Sequence, residues 1–457
     1  HIISELAGIS LEEMENFILD AIQGPDPAIR RVGDVFIFTS PKQAFHELGN
    51  IVSSPLALRW AEILSRVLLE SDPLKGLTLQ QKITAQMEGK RRAYSSALRR
   101  GLADSLALAG AINSASTDTK HVSCMATKFV TDILRNVTSG ENSYTWLDIA
   151  DVLPLLAEAA PDAFLSTLED DLYFDDPSVA QLFQVIEDPL SLGPSSKQHY
   201  LLRALETLCW SSEYLVRVIQ ILTKLSHYNL RINSGDTPLT SMSTILCGWV
   251  QNTGADLQTR LQAIDACHLT DPSTSLELIK KLWPNSNSTA ILSRKPRYQS
   301  WEFNDKEVLK TEWLTFISEI VSRAINWAKE NHSILPWLAE SITRLPSGDF
   351  DKIADFLEIE ASKDTLDTDI RLETFEKARD TAIRHMHHRD TESDIYRSQH
   401  IRLTELVTLL EPSDDLRKFS YLFNDFPNLF QFYDGDYEEY DKILHKERHI
   451  AFNEFFA

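Results

Sequence analysis

The sequence predicts a mainly α fold: a small winged-helix unit of helices plus a β-hairpin, followed by a HEAT-like α-α superhelical solenoid. Three observations predict it. From Ser54 onward apolar residues recur at i, i+3, i+4 and i+7, which puts one apolar stripe on each helix. Three segments share a layout of two helices around a short polar or Pro-bearing turn, and short turns force paired helices antiparallel. Only 15 Gly occur in 457 residues, too few for a turn-rich all-β chain.

The first fifty residues differ from the rest. Ile3 to Gly8 ends in a Gly suited to a helix C-cap, and Ser10 can cap a second helix, with Glu13 at the capping-box position. That helix runs to about Ile22, where Gly24-Pro25-Asp26-Pro27 stops it. Ile29 to Val32 and Val35 to Thr39 read as strands about a Gly33-Asp34 turn. Helix, turn, helix, hairpin is the order of a winged helix. A DNA-reading helix needs Lys, Arg, Asn or Gln against phosphates and base edges. This one presents Glu12, Glu13, Glu15 and Asp20, with Arg30 and Arg31 in the wing, so a protein-packing role is expected of it.

The helical pattern then runs through Trp60, Leu64, Val67 and Leu68, and it recurs at Phe129 to Val137, Leu215 to Leu222, Trp313 to Val321, Leu335 to Leu345 and Leu403 to Leu410. The paired segments are Trp146 to Glu169 about Pro161-Asp162, His199 to Leu225 about Ser211-Ser212, and Thr259 to Trp283 about Thr270 to Ser273. In each, the turn is expected to supply an N-cap for the second helix. Breaks at Ile112 to Lys120, Asp188 to Lys197, Asn229 to Pro238 and Pro284 to Tyr298 punctuate the array. Four segments result: a winged-helix-like unit at 1–53, a helical connector with a basic helix at 54–140, HEAT-like repeats at 141–290, and C-terminal repeats with an aromatic cap at 291–457. The cap is Phe419 to Tyr440, dense in Phe and Tyr.

A formal charge of −22 repels nucleic-acid backbones and anionic membranes as a whole-molecule field. No run approaches the ~18 apolar residues of a membrane span, and no signal peptide is visible, so the expected compartment is the cytoplasm. Because the chain opens on His1 rather than Met, it reads as a fragment whose upstream module is missing. Cys124, Cys209, Cys247 and Cys267 are dispersed in helical segments and read as buried free thiols.

Charge is unevenly placed. Glu141 to Ser196 holds twelve acidic residues and no Lys or Arg, whereas Lys82 to Arg100 carries six basic residues against Glu88. Lys90, Arg91, Arg92, Arg99 and Arg100 are therefore candidates for an anion or an acidic partner, with Arg92 and Arg99 seven apart on one expected helical face. The competing reading is a helix face that neutralises nearby acids. Asp170, Asp171, Asp175 and Asp176 lack the Gly of a calcium loop and read as a solvated surface or a docking face for a basic partner. His385, His388 and Asp390, with His387 and His400, are the densest set of metal-ligand types, but no H-E-x-x-H or i, i+4 pair occurs. A solvated helix end is the reading set against a metal site. There is no glycine-rich phosphate loop and no G-x-S-x-G, so no catalytic residue and no cofactor are expected within these residues.

One likeness is carried by the winged-helix order at Ile2 to Thr39, by Leu68-Leu-Glu-Ser-Asp-Pro73 and Leu98-Arg-Arg-Gly-Leu-Ala-Asp104, and by Tyr200-Leu-Leu-Arg-Ala-Leu-Glu206 with Trp210-Ser-Ser-Glu-Tyr-Leu215. It resembles the C-terminal half of large bacterial STAND-type NTPases, many of them antiviral sensors. The resemblance implies a winged helix that packs on an upstream NTPase module and a repeat arm that recognises a protein trigger, such as a phage or other foreign protein, and controls oligomerisation. The alternatives are a stand-alone HEAT-like scaffold, a metal-dependent hydrolase at His385 to Asp390, and nucleic-acid binding through Arg91 to Arg100.

Overall fold

The computed structural model describes residues 1–23, 25–33, 35–48, 54–112, 120–139, 144–186, 195–228, 235–285, 289–301, 307–386, 394–429 and 437–455. It is mainly helical, with one two-stranded sheet among the described residues. Two compact units divide the chain, one formed by His1–Leu282 with Ala290–Val308 and the other by Trp283–Thr289 with Leu309–Ala457.

The first unit opens with α1 (Ile2–Ala7), α2 (Leu11–Ala21), β1 (Ile29–Val32), β2 (Val35–Phe38) and α3 (Pro41–Leu48). Local chemistry sets these boundaries. Gly8 ends α1 at φ 72°, which a Cβ disfavours, and Ser10 and Glu13 form a reciprocal capping box at the start of α2. The strands pair antiparallel with Ile29 opposite Phe38 and Val32 opposite Val35. Two helices followed by a β-hairpin are thus present. Among the residues from His1 to Phe38 whose side chains are described, none is buried.

There follow α4 (Ser54–Leu68), α5 (Leu79–Met87), α6 (Ser96–Ala111), α7 (Lys120–Thr138), α8 (Trp146–Ile149), α9 (Leu153–Ala159), α10 (Pro161–Asp171), α11 (Gln198–Leu208), α12 (Leu215–Leu225), α13 (Pro238–Ile245), α14 (Leu257–Thr270) and α15 (Pro272–Leu282). Helices pack on the next but one as well as on sequence neighbours: α9 on α11, α11 on α13, α13 on α15, and likewise α10 on α12 and α12 on α14. That is the contact pattern of helix pairs laid one on another, in which each pair buries its apolar stripe against the next. The second unit holds α16 (Lys310–Glu330), α17 (Leu335–Ser341), α18 (Ser347–Ala361), α19 (Thr368–Met386), α20 (Asp394–Leu410), α21 (Asp415–Lys418) and α22 (Tyr437–Phe455). Here too α16 packs on α18, α18 on α20, and α17 on α19.

The two units share a side-chain device. Arg217 of α12 donates to Asp162, Ser166 and Glu169 of α10 at 3.0, 3.1 and 2.8 Å. Arg402 of α20 donates to Asp351, Asp355 and Glu358 of α18. Both acceptor rows have i, i+4, i+7 spacing, one face of a helix, and both arginines come from the next-but-one helix. The forked, always-charged guanidinium suits such a row, and its neighbours raise its already high pKa in both cases: first Glu169 at Arg217, first Glu358 at Arg402.

Three expectations are corrected. The paired helices do not all receive a capping side chain from the turn. Asp271 accepts from the Ser273 and Thr274 N–H groups before α15, but α10 and α12 have no side-chain cap and start on Pro161 and after Tyr214. Cys124 is exposed on α7, while Cys209, Cys247 and Cys267 are buried as expected. Burial pushes the Cys209 thiol far above its ordinary value. Finally, the basic segment is no continuous helix: α5 ends at Met87 and α6 starts at Ser96.

Candidate functional site

Two neighbourhoods of the first unit gather the charged residues singled out by sequence. In one, residues 72–82, α8 and the segment around Lys197 line a cleft of about 540 Å³. Asp148 is its hinge. Thr145 and Asp148 form the capping box of α8, with the Thr145 N–H and hydroxyl donating to the carboxylate at 2.8 and 2.9 Å. The Asp72 N–H and the Lys75 ammonium add 3.0 and 3.2 Å contacts. Burial works against its charge, but these donors outweigh it and hold the carboxyl below the ordinary range.

Lys197 donates to the Leu147 carbonyl at 3.2 Å, and its ammonium lies 3.9 Å from Asp72. Burial is the main reason its amine is pushed below the ordinary lysine value; Asp72 opposes the shift and Arg92 adds to it.

The basic residues next to this cleft divide into two kinds. Arg99 is buried, and its guanidinium donates to Asp151 at 2.9 and 3.1 Å, to the Val67 and Leu68 carbonyls at 2.7 and 3.1 Å, and to the Asp148 carbonyl at 2.7 Å. It therefore caps the C-terminal end of α4, where carbonyls lack helical partners. Arg92 reaches the same Asp148 carbonyl at 3.0 Å from the loop before α6. Arg92 and Arg99 do converge, but on internal acceptors and not along one helix face; Arg99 is buried, while the Arg92 side chain stays 18% exposed. Lys90, Arg91 and Arg100 are exposed, with Lys90 paired to Glu88 at 3.2 Å.

The second neighbourhood is the loop after α10. Asp171, expected on the surface, is buried and accepts from the Ser178 N–H and hydroxyl and from the Val179 N–H at 3.1, 2.8 and 2.7 Å. Ser178 is in turn held by the Trp146 indole N–H at 2.9 Å. This clasp fixes the loop between its ends. Asp170, Asp175 and Asp176 stay exposed, and between them Tyr173 and Phe174 stand 86% and 66% exposed, their rings 6.5 Å apart edge to face. Sequence reading missed both aromatics, because an apolar pair at a helix end has the signature of a core contact.

In the second unit His385 is buried on α19, stacked on Tyr396 at 3.7 Å, and its carbonyl accepts from the Tyr396 hydroxyl. His387, His388 and Asp390 lie outside the described residues. Among those described, no group of three or more His, Cys, Asp or Glu is placed to hold a metal ion, and no helix is long and apolar enough to cross a membrane. The aromatic segment near the C-terminus packs on α22, where Leu422, Leu429, Leu444 and Ala451 form a small core beside Phe419, Tyr421 and Tyr440. The Arg379 guanidinium lies 3.3 Å from the centre of the Tyr421 ring.

No protein-family model matches the chain, and no curated protein matches it in sequence.

Proposed function

We propose that this chain is a protein-recognition arm: a HEAT-like helical array with a winged-helix unit, serving a larger signalling or anti-phage defence NTPase of the kind it resembles. In this reading the winged helix packs against an upstream nucleotide-binding module. The array engages a protein trigger and so shifts a closed-to-open equilibrium that permits oligomerisation. No chemistry is assigned to these residues, and the arm acts by binding.

The supporting observation is the loop after α10, with Tyr173 and Phe174 exposed between Asp170, Asp175 and Asp176 and clasped by Asp171. Rigid, solvent-facing aromatics are the commonest energetic anchors of protein interfaces, and holding them in place before binding removes part of the ordering cost. Carboxylates around such an anchor favour a partner with basic side chains at its rim and speed encounter at low salt.

Affinity capture from uninfected and phage-infected cells tests the reading, with Tyr173→Ala/Phe174→Ala as comparison. Loss of two anchors weakens binding by about 2–4 kcal/mol, roughly 30-fold to a thousandfold, so the partner should be recovered by the wild type and not by the double variant. A partner held equally by both, or nucleotide hydrolysis by the chain on its own, would overturn the assignment.

A further inference from the structure

We infer that the cleft bounded by residues 72–82, α8 and Lys197 binds a small phosphate monoester, its dianionic head among Lys75, Lys82 and Lys197 and its apolar body on Leu74, Leu147 and Ile186. All six residues line one cavity of about 540 Å³. That volume falls in the ordinary range for small-molecule sites, roughly 300–1,000 Å³, and far exceeds what a bare inorganic anion fills.

Among the described lining residues three ammonium groups meet two carboxylates, Asp72 and Asp148. Both carboxylates are already engaged by the backbone. Asp148 is fully buried and takes the Asp72 and Thr145 N–H groups as well as the Thr145 hydroxyl, while Asp72 accepts from the Leu74 N–H at 3.0 Å. Asp148 is therefore a structural acceptor with one side committed to Lys75.

Lys197 is compensated less well. Its nearest carboxylate oxygen, on Asp72, is 3.9 Å away, at the outer limit of an ion pair, and it donates to a neutral carbonyl, that of Leu147. Partial burial holds the amine below its usual value and Arg92 adds a repelling charge, against the attraction of Asp72, Asp151 and Asp148. The Lys197 side chain is 30% exposed, and an anion that enters the site would add a close counter-charge to this partly desolvated cation.

Phosphate fits better than carboxylate on two grounds. A monoester carries about −1.5 to −2 charges near neutral pH and offers three acceptor oxygens, a match for several ammonium groups approaching from different elements. Lysine recognises phosphate as a point charge and needs no bidentate geometry. The apolar wall then asks for an organic substituent on the ester, because displacing water from Leu74, Leu147 and Ile186 contributes only if the ligand covers them.

Isothermal titration calorimetry of the full chain with phenyl phosphate at low ionic strength tests this, with inorganic phosphate and phenol as the separated halves. Phenyl phosphate should bind at a single site, at least about fivefold tighter than inorganic phosphate, since a buried ring contributes on the order of 1 kcal/mol or more. Lys197→Met should weaken it about tenfold or more, as expected for a lost charged hydrogen bond. Lys197→Arg should stay within about threefold of wild type because the charge is kept, and Lys224→Met on α12 should change nothing. Circular dichroism melting confirms that each variant is folded. Absence of a saturable signal, equal binding by folded Lys197→Met, or equal affinity for inorganic phosphate would overturn the proposal.

Discussion

Gly110→Ala tests a close backbone approach in the first unit. Gly110 lies on α6 where that helix crosses α9, and a Cβ built there would sit 1.8 Å from the Ala159 carbonyl oxygen, 2.6 Å from its carbon and 2.8 Å from its Cα. A carbon and an oxygen in van der Waals contact stand about 3.3 Å apart, and all three obstacles are backbone, so no rotamer change relieves the clash. Either α6 and α9 separate by about 1.5 Å or the Ala159 peptide turns away. Separation of that size forfeits at least half the dispersion across the contact, and overpacking of this kind costs roughly 1–3 kcal/mol, more where the obstacle is rigid. We expect a loss of about 3 kcal/mol even after the gain of about 1 kcal/mol that Ala brings to a helix interior. At roughly 2–4 °C per kcal/mol for a unit of this size, the melting transition should fall by about 6–12 °C. Differential scanning calorimetry reads it, with Gly101→Ala on the same helix as the control, since nothing lies within 4 Å of a Cβ built there. If Gly110→Ala melts with or above Gly101→Ala, the close approach of α6 and α9 is wrong.

The other predictions concern the charges behind the cleft. Arg99→Lys should cost about 3 kcal/mol in urea unfolding, because one ammonium cannot replace five hydrogen bonds to Asp151, Val67, Leu68 and Asp148. Arg100→Ala, on the exposed side of the same helix, should stay within about 0.5 kcal/mol; an equal loss at both positions would contradict an internal role for Arg99. Asp148 has its folded pKa depressed, so its contribution is complete above the unfolded value and fades as pH falls through the folded one. Asp148→Asn should therefore be less stable than wild type at pH 7 by about 3 kcal/mol, with the gap closing below about pH 4. A gap that is constant from pH 7 to pH 3 would show that the charge of Asp148 is not what Thr145, Asp72 and Lys75 hold.

The helices were legible because an apolar stripe is a local pattern: Phe129 to Val137 and Leu215 to Leu222 announce their buried faces without knowledge of a partner. The fate of the charges was not legible. The sequence leaves Arg92 and Arg99 open between an outside partner and nearby acids because it shows cations, not the acceptors waiting for them, and most of those acceptors are main-chain carbonyls at the ends of α4 and α8. Every helix leaves such carbonyls, but which of them is covered by solvent and which by a guanidinium depends on how distant segments pack. The acceptor rows of α10 and α18 are a middle case. Their i, i+4, i+7 spacing stands in the sequence, yet it becomes a clamp only because Arg217 and Arg402 arrive from the next-but-one helix. The same reasoning separates Asp171 from its neighbours. It has the same side chain as Asp170, but the first ion faces the N–H groups of Ser178 and Val179 and fixes the loop, which leaves the second, with Tyr173 and Phe174, to face solvent. Within a run of like charges, then, the residues that build a surface are those whose own charge is spent inside, and the residues free to meet a partner are the ones the fold did not need.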